Sequence, residues 1–396
     1  MTPSQPPVAL VASPRPDNFP HEFSFLCACS AVALTPDRIA RIARWNDSAI
    51  DWNEFLRLAE HHGVLPLAAR NLRAHAHNLP ANVTQRLASA FDVNVRRNLW
   101  FASELARIAY QFDKQQLRAI PYKGPTLAES VYGDVALRNF GDLDFLISPS
   151  DFERAKQTLG ELGYRPSLEF RPAVERYWLR NGYERSFDSA AGKYLVELQW
   201  GLLPRFFAVD LRTDDLLERS RPTPLAGGEV PGLSPEDLLL VLCLHAAKHL
   251  WMRLIWVCDI AETIRTQAVD WALVRDRARD LGILRIIGVS FWLAQKLLHC
   301  PLPESALQVI NADPKIPAIG EEFAARLARS ATYDFESTEY FRLILKLRER
   351  RSDQFRYVSR LLSTPGDGDL AVIKLPEPLF PLYRGVRAVR LMRKFF

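Results

Sequence analysis

Two aspartates separated by one residue inside an apolar run, Gly141-Asp142-Leu143-Asp144-Phe145-Leu146-Ile147, are the first residues in this chain that demand a chemical explanation. Aspartate is a poor strand former, and residues two apart on a strand share a face. Two carboxylates held side by side repel unless a cation lies between them. Magnesium takes hard oxygen ligands, commonly one or two carboxylates together with substrate phosphates. A third acid on a neighbouring strand would complete a site that clamps the attacking and leaving oxygens of a phosphoryl transfer. Glu197, in Tyr194-Leu195-Val196-Glu197-Leu198-Gln199-Trp200, is the candidate third acid, as metal ligand or as general base. The plain alternative has Asp142 capping a turn and Asp144 on a solvated face.

Upstream, Lys123-Gly124-Pro125-Thr126 joins a short apolar run, 117–122, to a short helical run, 127–132. A glycine turn that opens a helix can approach a phosphate closely, and the helix N-terminus favours anions. Lys123 and Gly124 are therefore candidate phosphate contacts, although the same residues suit an ordinary strand-to-helix turn. Arg138, a planar fork donor, is either a further phosphate contact or a surface arginine. Downstream, His245-Ala246-Ala247-Lys248-His249 puts two histidines at i and i+4 on one helix face. The metalloprotease arrangement needs Glu directly after the first His, and Ala246 stands there. Lys248 and His249 remain candidates for reaching a triphosphate or an acceptor. His245 and Asp259 are candidates for a hydrogen bond that locks two helices, and Trp251 for a core or substrate-positioning residue. Buried, satisfied polar residues are the alternative for the whole segment.

These residues need a scaffold, and the composition supplies one. Of 396 residues, 48% are hydrophobic and 24% charged, which argues against wholesale disorder. A net charge of +5 is too small to mark a nucleic-acid binder. The five cysteines, Cys27, Cys29, Cys243, Cys258 and Cys300, are sparse and odd in number, which argues against a secreted disulfide scaffold. Residues 1–20 are rich in proline and read as a disordered leader without a signal-peptide core. The longest apolar stretch, 238–244, is far short of the ~20 residues a membrane span needs, so a soluble, cytoplasmic protein is expected.

Periodicity divides the rest of the chain. Residues 21–116 are helical in pattern. Residues 117–230 hold strand-like runs at 117–122, 143–147, 183–187 and 193–200, with a helix over 151–162 ended by Gly163, which makes a small sheet domain. Residues 231–362 return to helices, opened by Ser234-Pro235-Glu236-Asp237: a capping serine, proline at the first position and acids in the first turn. Residues 363–396 are a loop and a helix carrying Arg384, Arg387, Arg390 and Arg393 between apolar residues. That helix fits an anionic partner such as lipid or RNA, or a domain-closing element with a solvated basic face.

Lys123-Gly124, then Tyr132, Arg138, Gly141-Asp142-Leu143-Asp144 and a helix ending Leu162-Gly163-Tyr164 together resemble the uncharacterised bacterial nucleotidyltransferase family of the DNA polymerase β-like superfamily. The likeness continues in His61-His62-Gly63-Val64-Leu65-Pro66-Leu67, in His245 to Trp251 with Leu254, Trp256 and Asp259, and in Leu375-Pro376, Leu382-Tyr383 and Arg387. The resemblance implies an α+β fold with a small mixed-sheet polymerase β-like core flanked by helical regions. It also implies Mg²⁺ held by Asp142, Asp144 and Glu197, and transfer of NMP from an NTP, with ATP expected, to a hydroxyl or amine. The acceptor is left open among small molecule, peptide and RNA. Two departures stand out: Gly124 is followed by proline rather than Gly or Ser, and Gln199 stands where relatives often carry histidine. They leave room for a degenerate member that binds nucleotide or a partner without turnover. A phosphotransferase on the same fold is the third reading.

Overall fold

Five strands form one sheet: β1 (Ala119–Pro121), β2 (Asp142–Ile147), β3 (Tyr164–Pro166), β4 (Glu184–Ser189) and β5 (Leu195–Gln199). Their spatial order is β1-β2-β5-β4-β3. The central pair, β2 and β5, runs parallel, while every other pairing in the sheet is antiparallel. The fold is therefore α+β with a small mixed sheet. The computed structural model describes residues 19–46, 50–76 and 78–395, so the expected leader lies outside the described residues apart from Phe19 and Pro20.

Alternation along β2 and β5 sets the character of the two sheet faces. Leu143, Phe145 and Ile147 of β2 and Val196 and Leu198 of β5 face a core completed by Phe101, Leu105, Ile108 and Phe112 of the helix Ala81–Lys114 and by Phe152, Ala155 and Leu159 of the helix Phe152–Glu161. Burying each large apolar side chain contributes about 1.5–3 kcal/mol. A one-residue slip would exchange these groups for Asp142, Asp144 and Glu197, so the apolar face fixes the register that gathers the acids on the other side. In that register Asp144 lies directly opposite Glu197.

The helices before and after the sheet domain share one core. Phe23, Leu56 and Leu67 from the N-terminal helices pack in the same cluster as Leu240, Val257, Ile287 and Phe323 from the later ones. The long helix Ala81–Lys114 spans both cores, with Val83 and Leu87 in the helical one and Phe101 to Phe112 under the sheet. Several elements go beyond the periodicity reading, among them the strand β3, the helices Pro172–Asn181 and Thr213–Glu218, and a separate hairpin of β6 (Arg221–Leu225) and β7 (Gly228–Gly232).

The helix Pro235–Lys248 starts as its sequence dictates. The Ser234 hydroxyl accepts a hydrogen bond from the Asp237 amide at 3.3 Å, with Pro235 at the first turn. Beyond its end, Leu250 and Trp251 both take positive φ, at 50° and 49°. Trp251 is fully buried, and its indole N–H donates to Ser290 Oγ at 3.2 Å, which makes it a core anchor for this turn. All five cysteines are buried, and none forms a disulfide. No helix among the described residues is long and apolar enough to cross a membrane.

Candidate functional site

The acid-bearing face of the sheet looks into a cleft of about 450 Å³, within the size range of small-molecule sites. From β2 and β5 it receives Asp142, Glu197 and Gln199, and from the turn after β1 it receives Lys123. The end of the helix Pro235–Lys248 supplies His245, Lys248 and His249 on the facing wall. Two distant stretches of sequence are thus brought to one place, as the charge patterns of both suggested.

Asp142, Asp144 and Glu197 each offer an oxygen within 4.8 Å of the others. Asp144 is buried in the middle of the set. Its Oδ1 accepts from Lys123 Nζ at 2.9 Å and from the Gln199 amide at 2.9 Å, whereas its Oδ2 is buried without a hydrogen-bond partner. Gln199 also donates to Glu197 Oε2 at 2.9 Å and lies 3.4 Å from Glu184 Oε2. The Tyr122 hydroxyl donates to Gln199 Oε1 at 2.6 Å, which aims the amide donors at the acids. A clustered set of carboxylates with an orphaned buried oxygen suits a hard divalent cation.

The electrostatics follow from this crowding. Burial, reinforced by the Asp144 and Glu184 carboxylates, pushes the Glu197 carboxyl up to about 8. The neighbouring Asp144 charge, with burial second, raises Asp142 above the ordinary aspartate value. Burial alone would lower Lys123, but the Asp144 carboxylate holds its ammonium well above the ordinary lysine value. Lys248, with its ammonium 5.0 Å from the centre of the Tyr183 ring, is lowered by burial. Burial and nearby cations depress His245 and His249 well below the usual histidine range, so both are neutral at pH 7. Their rings lie 4.8 Å apart, and His249 also stacks on Trp256 at 4.9 Å.

Gly124 is required by its position. It takes a positive φ of 54°, and a Cβ there would sit 3.2 Å from the Asp142 carbonyl oxygen. The turn thus packs directly on the start of β2 and sets Lys123 beside Asp144. Pro125 occupies the first turn of the helix Gly124–Tyr132 and gives it no amide donor there.

Arg138 stands apart from the cleft-lining residues. Its Nε and Nη2 donate to the two oxygens of Asp259 at 2.8 and 2.9 Å, and the Tyr132 hydroxyl donates to the same carboxylate at 2.7 Å. All three side chains are buried. The helix lock expected between His245 and Asp259 is therefore made by Arg138 and Tyr132, 121 and 127 residues away in sequence. An arginine this far from its partner carries no local signal of the pairing.

Other residues reach the site without having been singled out from sequence. Glu184 and Tyr183, from the strand-like run 183–187, line the cleft. Glu184 carried the same signal as Glu197, a charge within a strand. Phe335, Glu336, Tyr340, Thr364, Pro365, Gly366 and Gly368 form its outer wall, joined by Arg387 of the basic C-terminal helix read from sequence. The Tyr340 hydroxyl donates to the Lys248 carbonyl at 2.8 Å. Of the C-terminal arginines, Arg387 and Arg390 pair internally with Glu336 and Asp369, while Arg384 and Arg393 are exposed.

The profile of a family described as uncharacterised nucleotidyltransferase matches residues 48–299, well over half of the chain. The chain belongs to that family, and the protein is by that membership an enzyme of the nucleotidyltransferase kind. The matched span holds all three acids, Gln199, Lys123 and the His245–His249 segment, but not the outer wall from Phe335 onward. No curated protein matches the chain.

Proposed function

We propose that the protein is a Mg²⁺-dependent nucleotidyltransferase of the DNA polymerase β-like superfamily, acting in the cytoplasm, that moves NMP from an NTP, ATP first among them, to a hydroxyl or amine acceptor. The observation that carries this reading is the convergence of Asp142, Asp144 and Glu197 on one point of a cleft whose facing wall carries Lys248 and His249. Asp142, Asp144 and Glu197 are the residues that would hold Mg²⁺, which when bound neutralises charge on the reacting phosphates. Lys123 and Lys248 add positive charge from either side of the cleft for the triphosphate. Gly124 opens the helix N-terminus beside them, a place that favours anions. Glu197 is suited to take the acceptor proton, provided that proton comes within ~2.6–3.2 Å or one water of it. Neutral His249 offers a hydrogen bond rather than a charge. Arg138 supports the site from behind, through Asp259.

The test is incubation of the protein with each radiolabelled NTP, Mg²⁺ and a cell extract, followed by separation into small-molecule, RNA and protein fractions. Label transferred to one fraction, and lost when Asp142 and Asp144 are replaced by Asn, supports the proposal. Mass spectrometry of the product distinguishes an added NMP from an added phosphate. An acceptor carrying phosphate alone would replace nucleotidyl transfer with phosphotransfer.

A further inference from the structure

We propose that this site takes a single divalent cation, and that the Lys123 ammonium holds the place of a second; the inference rests on the nucleotidyltransferase reading above. A two-cation site places its ions about 3.5–4 Å apart, so a carboxylate shared between them must offer an oxygen to each. Asp144 is the acid in the shared position, two residues from Asp142 on β2 and opposite Glu197 on β5.

Only one of its oxygens is available. A carboxylate oxygen has two lone pairs, and both on Oδ1 are engaged, by Lys123 Nζ at 2.9 Å and by Gln199 Nε2 at 2.9 Å. The oxygen left without a partner is Oδ2. Neither donor is loosely placed. The Gln199 amide is oriented by the Tyr122 hydroxyl on its Oε1 and by Glu197 on its other side. Lys123 is buried and precedes Gly124, whose backbone packs on the Asp142 carbonyl.

Charge leads to the same count. Three carboxylates are balanced by one divalent cation together with one ammonium. A second divalent cation in a pocket this buried would leave the cluster with two surplus positive charges before any triphosphate arrives, a desolvated excess that proteins avoid. The lysine that precedes the glycine turn therefore has a use beyond a phosphate contact: it replaces a metal ion.

Native mass spectrometry of the full-length protein with Mn²⁺ and a nonhydrolysable ATP analogue counts the cations in each protein–nucleotide complex. One Mn²⁺ per complex is expected. Two would overturn the single-cation proposal and leave the nucleotidyltransferase reading standing. A protein that retains neither Mn²⁺ nor the analogue would overturn the reading itself, and the proposal with it. Lys123→Ala, checked for folding by circular dichroism, frees Asp144 Oδ1 and is expected to raise the count from one to two. A folded Lys123→Ala protein that stays at one Mn²⁺ would remove Lys123 from this role.

Discussion

Replacing Gln199 with leucine keeps the side-chain bulk and deletes the donors that hold two acids together. The Gln199 amide bonds Asp144 and Glu197 simultaneously. Hydrogen bonds to charged groups contribute about 1.5–3 kcal/mol each. Without them, two carboxylates within 4.8 Å of each other repel by roughly 3.5 kcal/mol at an effective dielectric near 20. Glu197 can escape part of that repulsion by keeping its proton, so these contributions do not add. The Tyr122 hydroxyl also loses its acceptor. We expect Gln199→Leu to cost the metal-free protein about 3 kcal/mol, taken over the range for lost charged hydrogen bonds. A divalent cation between the acids would take over the bridging. The deficit should therefore shrink by more than half in saturating Mg²⁺, read from urea midpoints followed by circular dichroism. Gln199→Glu, which removes the same donors and adds a charge as well, should show a larger metal-free loss and a steeper Mg²⁺ dependence. Equal destabilisation of Gln199→Leu with and without Mg²⁺ would refute the idea that a cation on Asp144 Oδ2 and Glu197 relieves the same repulsion as the amide.

Asp144→Asn should abolish transfer of label from NTP, and it should not be silent in folding: Lys123 loses its partner in a buried pair, a loss capped at about 3 kcal/mol because Asp142 and Glu197 remain nearby. Arg138→Met and Asp259→Asn should each cost about 3–5 kcal/mol by leaving a buried charge uncompensated, with strong coupling in a double-mutant cycle; a folded Arg138→Lys protein with unchanged nucleotide affinity by calorimetry would confirm a supporting role, and a large loss of affinity would return Arg138 to the phosphates. His62 is buried without a hydrogen bond on either ring nitrogen, and burial pushes its folded pKa down to about 3, below the unfolded value of 6.5. The unfolded state therefore binds the extra proton between those values, and the stability that depends on neutral His62 is complete above pH 6.5 and falls as the pH drops towards 3. At pH 5 the loss should be about 2 kcal/mol, at 1.36 kcal/mol per pH unit, and His62→Phe should flatten the urea midpoint across that window; an unchanged slope would refute the assignment.

The parts of this molecule that the sequence disclosed are those in which position alone carries information. Asp142 and Asp144 alternate within an apolar strand, and that spacing leaves no choice of face once Leu143, Phe145 and Ile147 are buried. Glu197 repeats the pattern on a strand whose apolar residues must pack with the first, and Ser234-Pro235 states a helix start outright. What stayed hidden depends on long-range pairing. Nothing near Arg138 indicates that its partner is Asp259. Gln199 looks like a lost histidine until Tyr122 is seen to orient its amide onto both acids. Like-charge repulsion alone would make Asp144→Asn harmless to the fold, and the Lys123 pair reverses that sign. Glu184 was legible by the rule that found Glu197, and passed unnoticed because its strand has a less apolar core-facing side.

The division between the matched family span and the rest of the chain carries a consequence for substrate choice. Residues 48–299 contain the acids, the glycine turn and the cationic wall, the residues on which the proposed transfer rests. The outer wall is built from Phe335, Glu336, Tyr340, Thr364, Pro365, Gly366, Gly368 and Arg387, all beyond that span. This wall is not an independent appendage. Tyr340 bonds the Lys248 carbonyl, the Phe335 ring lies 5.4 Å from His249, and Arg387 and Arg390 fasten the last helix to Glu336 and Asp369. The first two contacts tie the C-terminal segment to the side of the cleft opposite the acids, and the arginine pairs hold the last helix to the rest of that segment. Under the proposed function the reacting groups are held by the sheet, while the outer wall comes from a segment beyond the matched span that is fastened to Lys248 and His249. On the proposed function, discrimination between acceptors would therefore be sought in Phe335, Glu336, Thr364 and Pro365, and the chemistry in β2 and β5.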